Sequence, residues 1–350
     1  MSNAANQVQG SPWHVGEVAV QRSAGVAEKM AAHRRVIRDH MIDQHREFYP
    51  QLPFILAGAV DASGDAWATI LAGKPGFLHA PDPGRLTIAA ARNPRDPADG
   101  GLNDGDAIGL LGIELHTRRR NRLNGTVRRE SPGLFDVAVA QSFGNCPQYI
   151  QLRDFELVRD PAAPATETPR TFDRLDGRAR TMIAEADTFF VASFVDHADG
   201  TREVDVSHRG GKPGFVRLGS DGVLTIPDFS GNRFFNTLGN LIANPKAGLL
   251  FVDFETGDLL QLSGDAAVIL ESPEISAFEG AERLWRFTPR RIVYRPDALP
   301  LRWTFQQDGW SPQSLKTGSW EEGPGAPRKV TSADRYARRR HPRTKSRSAA

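Results

Sequence analysis

Short apolar or alternating segments separated by Asp- and Gly-rich turns run through most of the chain. In the first half, FILAGAV (54–60) and AWATILA (66–72) flank the turn DASGD; in the second half, FFVASFV (189–195) and TREVDVS (201–207) flank DHADG. Segments of this length with such turns between them are typical of antiparallel β-hairpins. The sequence therefore predicts a mainly β protein.

Further strands are predicted in each half. They are AIGLLGIEL, LFDVAVAQ and QYIQLRDFEL in the first, and AGLLFVDF, DLLQLSGDAAVIL and RLWRFTPRRIVY in the second. We expect a small closed barrel in each half rather than an open sheet, because closure leaves no exposed strand edge.

The two halves repeat the same short motifs in the same order. The repeated motifs are GKPGF at 73–77 and 211–215, LTI at 86–88 and 224–226, and GLL at 109–111 and 248–250, each shifted by 138 or 139 residues. Aligned anchors in a fixed order indicate an internal duplication, so the chain is predicted to hold two copies of one fold.

The copies differ between the LTI and GLL motifs. The second copy has GNRFFNTLGNLIANP (231–245), where Phe234, Leu238, Leu241 and Ile242 share one helical face and Asn-Pro ends the pattern. The first copy has RNPRDPADGGLNDGD (92–106), whose prolines and glycines disfavour a helix. We therefore expect a helix, beginning near 228–233, in the second copy alone.

These patterns divide the chain into five parts. They are an N-terminal helical segment (1–50), a first, degenerate barrel (51–160), a polar proline-rich linker (161–170), a second barrel (171–305), and an irregular arm with a basic tail (306–350). The tail has nine Lys or Arg and one acidic residue between 328 and 347, a composition that favours disorder.

Composition narrows the function classes. Of the 350 residues 39% are hydrophobic and 25% charged, and the net charge is only +2, so the whole molecule is not built for a polyanion. The single cysteine, Cys146, precludes an intrachain disulfide. Because no segment approaches eighteen apolar residues, we expect a cytoplasmic protein that does not enter a membrane. A nucleic-acid partner is expected only through the 328–347 tail.

An anion site is predicted at the start of the second-copy helix. The polar run DFSGNR (228–233) precedes that helix, whose first N–H groups and dipole favour an anion. Arg233 is the strongest candidate, since a guanidinium can grip two phosphate oxygens; the alternative is a solvated arginine. Asn232, Asn236 and Thr237 could add neutral hydrogen bonds, although Asn232 could equally be a helix N-cap.

The second copy resembles the pyridoxamine 5′-phosphate oxidase-like flavoproteins. The resemblance rests on REVDVSHRGG, LTIPDFSGNR, a helix ending LIANP, and the strand AGLLFVDF; IGLLGIELHTRRRNRLNG and QSFGNCPQYIQLR in the first copy resemble the long, duplicated members. It implies tandem FMN-binding split β-barrels that form a pseudo-dimer, with FMN as the cofactor. Gly231-Asn232-Arg233 replaces the family's Arg-Lys pair and Gln261 is shifted, which argues against oxidation of pyridoxamine phosphate itself.

The resemblance also implies positions for further site residues. His208 and Arg209 precede two glycines, so this turn is expected beside the flavin, with His208 a weak candidate for proton transfer. Arg120 and Arg122 of the first copy are expected to reach the phosphate, unless they form a solvated strand edge. Cys146 is expected at a turn or at the flavin edge. No metal-binding motif is present.

The function predicted from these features is that of an FMN-binding flavoprotein, an oxidoreductase that transfers hydride between flavin and a small molecule or NAD(P)H. Two alternatives stay open. One is a non-catalytic flavin carrier or sensor; the other is a nucleic-acid-associated protein that acts through its basic tail. An electron-transfer partner protein and a homodimer are further open expectations.

Overall fold

The computed structural model describes residues 11–163 and 165–320, which form a mainly β structure. The predicted basic tail (328–347) lies outside the described residues. Among the described residues, no helix is both long enough and apolar enough to cross a membrane.

The first copy forms one antiparallel sheet of seven strands in the order β2-β1-β5-β6-β7-β4-β3. Its strands are β1 (Phe54–Val60), β2 (Ala66–Ala72), β3 (Leu78–Asp82), β4 (Arg85–Ile88), β5 (Ala107–Ile113), β6 (Arg120–Ser131) and β7 (Leu134–Gly144). β1 and β2 coincide with the predicted segments, and the Asp/Gly turn at 61–65 sets the end of β1 and the start of β2.

The second copy repeats this order as β11-β10-β14-β15-β16-β13-β12. After β8 (Arg153–Leu157) and β9 (Arg170–Phe172), its strands are β10 (Thr188–Asp196), β11 (Arg202–Gly210), β12 (Arg217–Leu218), β13 (Leu224–Phe229), β14 (Lys246–Val252), β15 (Leu259–Ile269) and β16 (Ala281–Arg295); β17 (Leu301–Phe305) follows. The duplicated, mainly β fold is therefore confirmed.

The barrels are split rather than closed. Among the described residues, the end strands β2 and β3 of the first sheet do not pair with each other, and neither do β11 and β12 of the second. The expectation of closed barrels is therefore wrong, whereas the split barrels implied by the resemblance are present. The reason is that β2 packs on β14 and β11 packs on β5. These edge strands are covered by the neighbouring barrel, so closure is not needed to protect them.

Strands at the centre are buried on both faces. All seven residues of β1 are buried: Ile55 and Ala57 point into the first barrel, while Phe54 and Leu56 join a core between the barrels with Phe190 of β10. This explains why FILAGAV is a continuous apolar run rather than an alternating one.

The repeated GLL motifs mark the closest approach of the barrels. A Cβ on Gly109 of β5 would lie 2.4 Å from the carbonyl oxygen of Val204 on β11, and one on Gly248 of β14 would lie 2.4 Å from that of Ala66 on β2. Each glycine thus meets the equivalent point of the other copy. The two barrels are related by a pseudo-two-fold axis, as in an isologous dimer.

Helices cover the ends of the barrels. The α-helices of the described residues are α1 (Val15–Ser23), α2 (Ala27–His33), α3 (Asp43–Arg46), α4 (Gly177–Glu185), α5 (Asn236–Ala243) and α6 (Pro312–Leu315); 3-10 turns span Arg34–Val36, Tyr49–Gln51, Pro97–Gly101 and Pro273–Ala277. α5 is the predicted second-copy helix, and the first copy has the 3-10 turn at 97–101 in its place.

A small third sheet lies outside the two large ones. β17 pairs with β8 over Leu301–Phe305 and Arg153–Leu157, forming a two-stranded sheet outside both barrels. Its two strands lie within the predicted ranges 51–160 and 171–305, and those domain boundaries stay a prediction. Trp303 of β17 packs edge-on against Phe54 of β1, which anchors this sheet to the core between the barrels.

Candidate functional site

A cavity lies where the two barrels meet. Its walls come from β6 and the loop after β7 in the first copy, and from β11, the segment after β13 and the start of α5 in the second. About 100 Å3 of space is enclosed. All eight predicted cofactor-binding residues line it, namely Arg120, Arg122, His208, Arg209, Asn232, Arg233, Asn236 and Thr237. Their contact with a cofactor stays a prediction.

Strand alternation selects two arginines of the RRRNR run for the cavity. β6 begins at Arg120, so Arg120 and Arg122 point to the same side of the strand. Arg118 is in a left-handed turn and donates to backbone carbonyls, and Arg119 lies over the ring of Phe48. Only the predicted pair reaches the cavity.

Arg122 is held by groups of the second copy. The residue is 4% exposed, its Nη1 donates to Asp205 Oδ1 at 2.8 Å, and its Nη2 donates to the Ser207 hydroxyl. Asp205 Oδ1 also accepts from Asn124, which fixes the carboxylate. The charge of Arg122 is therefore compensated within the protein, and this arginine joins the two barrels at the cavity wall.

The positive charges of Arg120 and Arg209 are less well compensated by carboxylates than that of Arg122. Arg120 Nε donates to the carbonyl of Cys146 at 2.7 Å, and burial, with the nearby charge of Arg122, lowers the pKa of Arg120 to about 9. Burial also lowers the pKa of Arg209, although Asp228, 3.5 Å from its Nη1, acts in the opposite direction. A guanidinium stays protonated at neutral pH, so the cavity carries positive charge that an anion would stabilise.

His208 presents an unpartnered nitrogen. The residue is 5% exposed, and its Nε2 has no hydrogen-bond partner among the described residues. Burial, together with the charges of Arg120 and Arg209, holds its pKa well below the usual value, so the ring is neutral. The edge-on contact with Phe190 orients the imidazole. Arg209 Nε and Asn145 Nδ2 are likewise without partners among the described residues.

Arg233 does not stand at the first turn of the helix. It has a φ of 67°, Phe235 has a φ of 62°, and α5 begins only at Asn236. The Arg233 guanidinium forms a two-point ion pair with Glu282 at 2.8 and 2.9 Å. The predicted helix start at 228–233 is thus corrected, because left-handed residues cannot continue a helix. The leading anion-binding candidate already holds a carboxylate.

The neutral candidates are also engaged. Asn232 Oδ1 accepts from the N–H of Phe234, so Asn232 shapes a turn and is not the N-cap of α5. Asn236 donates to Glu17 Oε1 at 2.5 Å, and Thr237 donates to the Ser207 hydroxyl at 3.0 Å. These contacts position the wall of the cavity.

Sequence reasoning missed four contributors to this region: Asn145, Tyr149, Glu282 and Glu17. Tyr149 stacks on Phe229 at 5.1 Å. Glu17 of α1 is buried, and burial followed by the charge of Asp205 raises its pKa well above the ordinary value. The motif FGNCPQY was a usable signal for the loop, whereas nothing local marks Glu17 or Glu282. Cys146 lies in the cavity wall.

The described residues contain no group of three or more His, Cys, Asp or Glu side chains placed to hold a metal ion. The donor set of the cavity is instead rich in N–H groups. That chemistry suits an anion.

Neither a protein-family model nor a curated protein sequence matches the chain. Solved structures that it is similar to include a putative pyridoxamine 5′-phosphate oxidase from Lactobacillus delbrueckii (15% identity, TM-score 0.25, covering 30% of this chain and 95% of that one). Others are HutZ, the haem storage protein of Vibrio cholerae (17%, 0.25, 35% and 95%), and an FAD-binding protein of Mesorhizobium loti (13%, 0.24, 37% and 97%).

Between 30% and 37% of this chain aligns with nearly the whole length of each neighbour. They include a putative pyridoxamine 5′-phosphate oxidase and a protein described as belonging to the pyridoxinephosphate oxidase family. At these identities nothing about cofactor or reaction follows from the likeness itself.

Proposed function

We propose that the protein binds FMN, with the phosphate in the cavity between the barrels. The observation that carries the proposal is the half-buried positive charge of Arg120 and Arg209 beside unpartnered donors. A dianionic phosphate would relieve the repulsion between these arginines and accept hydrogen bonds from them. Arg209 Nε and Asn145 Nδ2 are donors that no described residue accepts from.

The residues present fit a phosphate better than they fit a whole flavin. Ligand pockets for drug-sized molecules enclose about 300–1,000 Å3, whereas this cavity encloses about 100 Å3. We therefore assign the phosphate to the enclosed space and leave part of the flavin outside it. Arg120, Arg209 and Asn145 would hold the phosphate, while Arg122 and Thr237 keep the wall in place.

When bound, FMN supplies hydride chemistry. In this chain, His208 is the residue that can hold a proton at a defined atom, because its neutral ring has an unpartnered Nε2 in the cavity wall. The proposal includes turnover with a small molecule or NAD(P)H. A flavin carrier or sensor is the second candidate, because the observations at the cavity concern phosphate binding and would be the same without turnover.

The first test is a titration of the purified protein with FMN, in which binding is measured by the quenching of flavin fluorescence. Riboflavin is the matched control. We expect saturable FMN binding and weaker riboflavin binding, because riboflavin lacks the phosphate. Equal affinity for the two flavins would contradict the phosphate assignment. The absorption spectrum of protein as purified tests haem, which would replace the flavin bands by a Soret band and overturn the proposal.

The second test separates the enzyme from the carrier. Oxidation of NADH or NADPH is followed in the presence of the protein and FMN, against FMN alone. A rate that saturates with nicotinamide concentration supports the oxidoreductase. A flavin-loaded protein whose rate does not exceed that of free FMN supports the carrier or sensor.

A further inference from the structure

The pseudo-two-fold axis relates the cavity to a second place between the barrels. Strand register fixes the equivalence: Gly58 pairs with Gly109 in the first copy, as Ala192 pairs with Gly248 in the second. Counting along the paired strands from these residues matches three cavity residues to their counterparts in the other copy. They are Ser207 with Thr69, Arg122 with Gln261, and Asn145 with Arg295.

Three side chains of the cavity have aliphatic counterparts at the second place. The same ladders match Arg120 with Leu259, His208 with Ile70, and Arg209 with Leu71. Leu259 is fully buried and Ile70 is 7% exposed, and both belong to the core between the barrels. Three residues that bring charge or an unpartnered nitrogen to the cavity are thus replaced by aliphatic side chains.

A carboxylate of the protein itself lies at this second place. Asp96, which precedes the 3-10 turn at 97–101, is 7% exposed. Its Oδ2 accepts from Arg295 Nη1 at 2.6 Å and from the Thr69 hydroxyl, and its Oδ1 accepts from Gln261 Nε2 at 3.0 Å. The backbone N–H of Ala98 donates to Oδ1 as well, at 3.0 Å. The three side-chain donors are the equivalents of cavity residues.

We propose that Asp96 is a built-in anion that permanently fills the second of two pseudo-equivalent sites. Removing its carboxylate would create a site for a small carboxylate, held by Arg295, Gln261 and Thr69. It follows that the chain takes one phosphate-bearing ligand, in the cavity lined by Arg120 and Arg209. The claim that the chain takes one ligand rests on the proposed function, whereas the claim that Asp96 fills the second site does not.

The experiment is chemical rescue of Asp96→Ala. Loss of one partner of a buried ion pair should lower the Tm of this variant by roughly 10 °C. Sodium formate, compared with sodium chloride at equal ionic strength, should then raise its Tm by roughly 3 °C or more, because a ligand that binds only the folded state stabilises it. Thermal unfolding is monitored by circular dichroism.

Two matched variants define the rescue. Asp96→Asn removes the charge but keeps the volume, so formate should not raise its Tm. Asp96→Ala/Arg295→Leu keeps the space but lacks the cation, so formate should fail there too. If Asp96→Ala does not fold in chloride, the refolding yield in formate against chloride replaces the Tm. A formate effect equal in all three variants, or none in Asp96→Ala, would overturn the filled-site proposal.

Ligand stoichiometry is measured separately on the wild-type chain. One FMN per chain is the expected result, and Arg209→Met should weaken this single binding event rather than remove one of two. Two FMN per chain would contradict a filled second site. An absence of FMN binding together with formate rescue would refute the proposed function and leave the assignment of Asp96 standing.

Discussion

Replacing Arg209 by methionine should reduce the preference for FMN over riboflavin. Methionine keeps an unbranched apolar stem but removes the guanidinium, which has an unpartnered Nε and lies 3.5 Å from Asp228; the Arg209 side chain as a whole is 24% exposed. A hydrogen bond to a charged group contributes about 1.5–3 kcal/mol net. Partial exposure and the remaining Arg120 place the expected loss at the lower end, so FMN affinity should fall roughly 10- to 30-fold. Riboflavin affinity should stay within about 2-fold, since the lost contact is to the phosphate.

Isothermal titration with both flavins measures this difference directly. The matched control is Arg202→Met on the same strand, where the arginine pairs with Asp196 at the surface, away from the cavity. That variant should leave both affinities unchanged, and a raised ionic strength should weaken FMN binding in the wild type more than in Arg209→Met. If Arg209→Met weakens both flavins equally, Arg209 contacts another part of the flavin, or its loss deforms the site, and the phosphate assignment fails.

Three further changes have defined outcomes. Glu282→Gln frees Arg233 from its ion pair, so FMN affinity measured by titration should rise several-fold; an unchanged affinity would place Arg233 out of reach of the ligand. Burial and two nearby arginines lower the pKa of His45 to about 4, so the unfolded chain takes up the proton first as pH falls. The free energy of unfolding, measured with denaturant, should therefore fall by up to about 3 kcal/mol between pH 6.5 and 4. His45→Gln should make it depend less on pH. Gly248→Ala would drive a methyl against the backbone of β2 and should cost about 2–3 kcal/mol by denaturant unfolding, whereas Gly177→Ala, with open space around it, should cost almost none.

Much of the fold is predictable because its signals are local. A strand such as AWATILA is bounded by turn residues on one side and a GKPGF turn on the other, and the structure has β2 at Ala66–Ala72. The duplication is equally visible, since the repeated GLL glycines are required at the two closest approaches of the barrels. The four candidates at 232–237 come from the polar run before the second-copy helix, whereas Arg120, Arg122, His208 and Arg209 come from the family resemblance.

What the sequence could not reveal depends on contacts distant along the chain. Arg233 was the leading anion-binding candidate, yet its partner Glu282 lies 49 residues away on β16, and two left-handed residues delay the start of α5. No local pattern reports such a pairing. Asp96 was part of a segment interpreted only as a poor helix, because its meaning depends on Arg295, 199 residues later.

A fused pair of barrels permits an asymmetry that a symmetric dimer does not. In a homodimer each substitution appears in both sites, so exchanging Arg120 for leucine would remove the charge from both at once. Here position 120 and its equivalent, Leu259, are separate residues, as are Arg209 and Leu71. One site could therefore accumulate positive charge with few internal partners, which destabilises the fold until an anion binds, while the other acquired a neutralising Asp96. Asp96 pairs with Arg295 in the second site, whereas no described carboxylate pairs with Arg120 in the first, which is the electrostatic reason for expecting one site to bind and the other to support the structure.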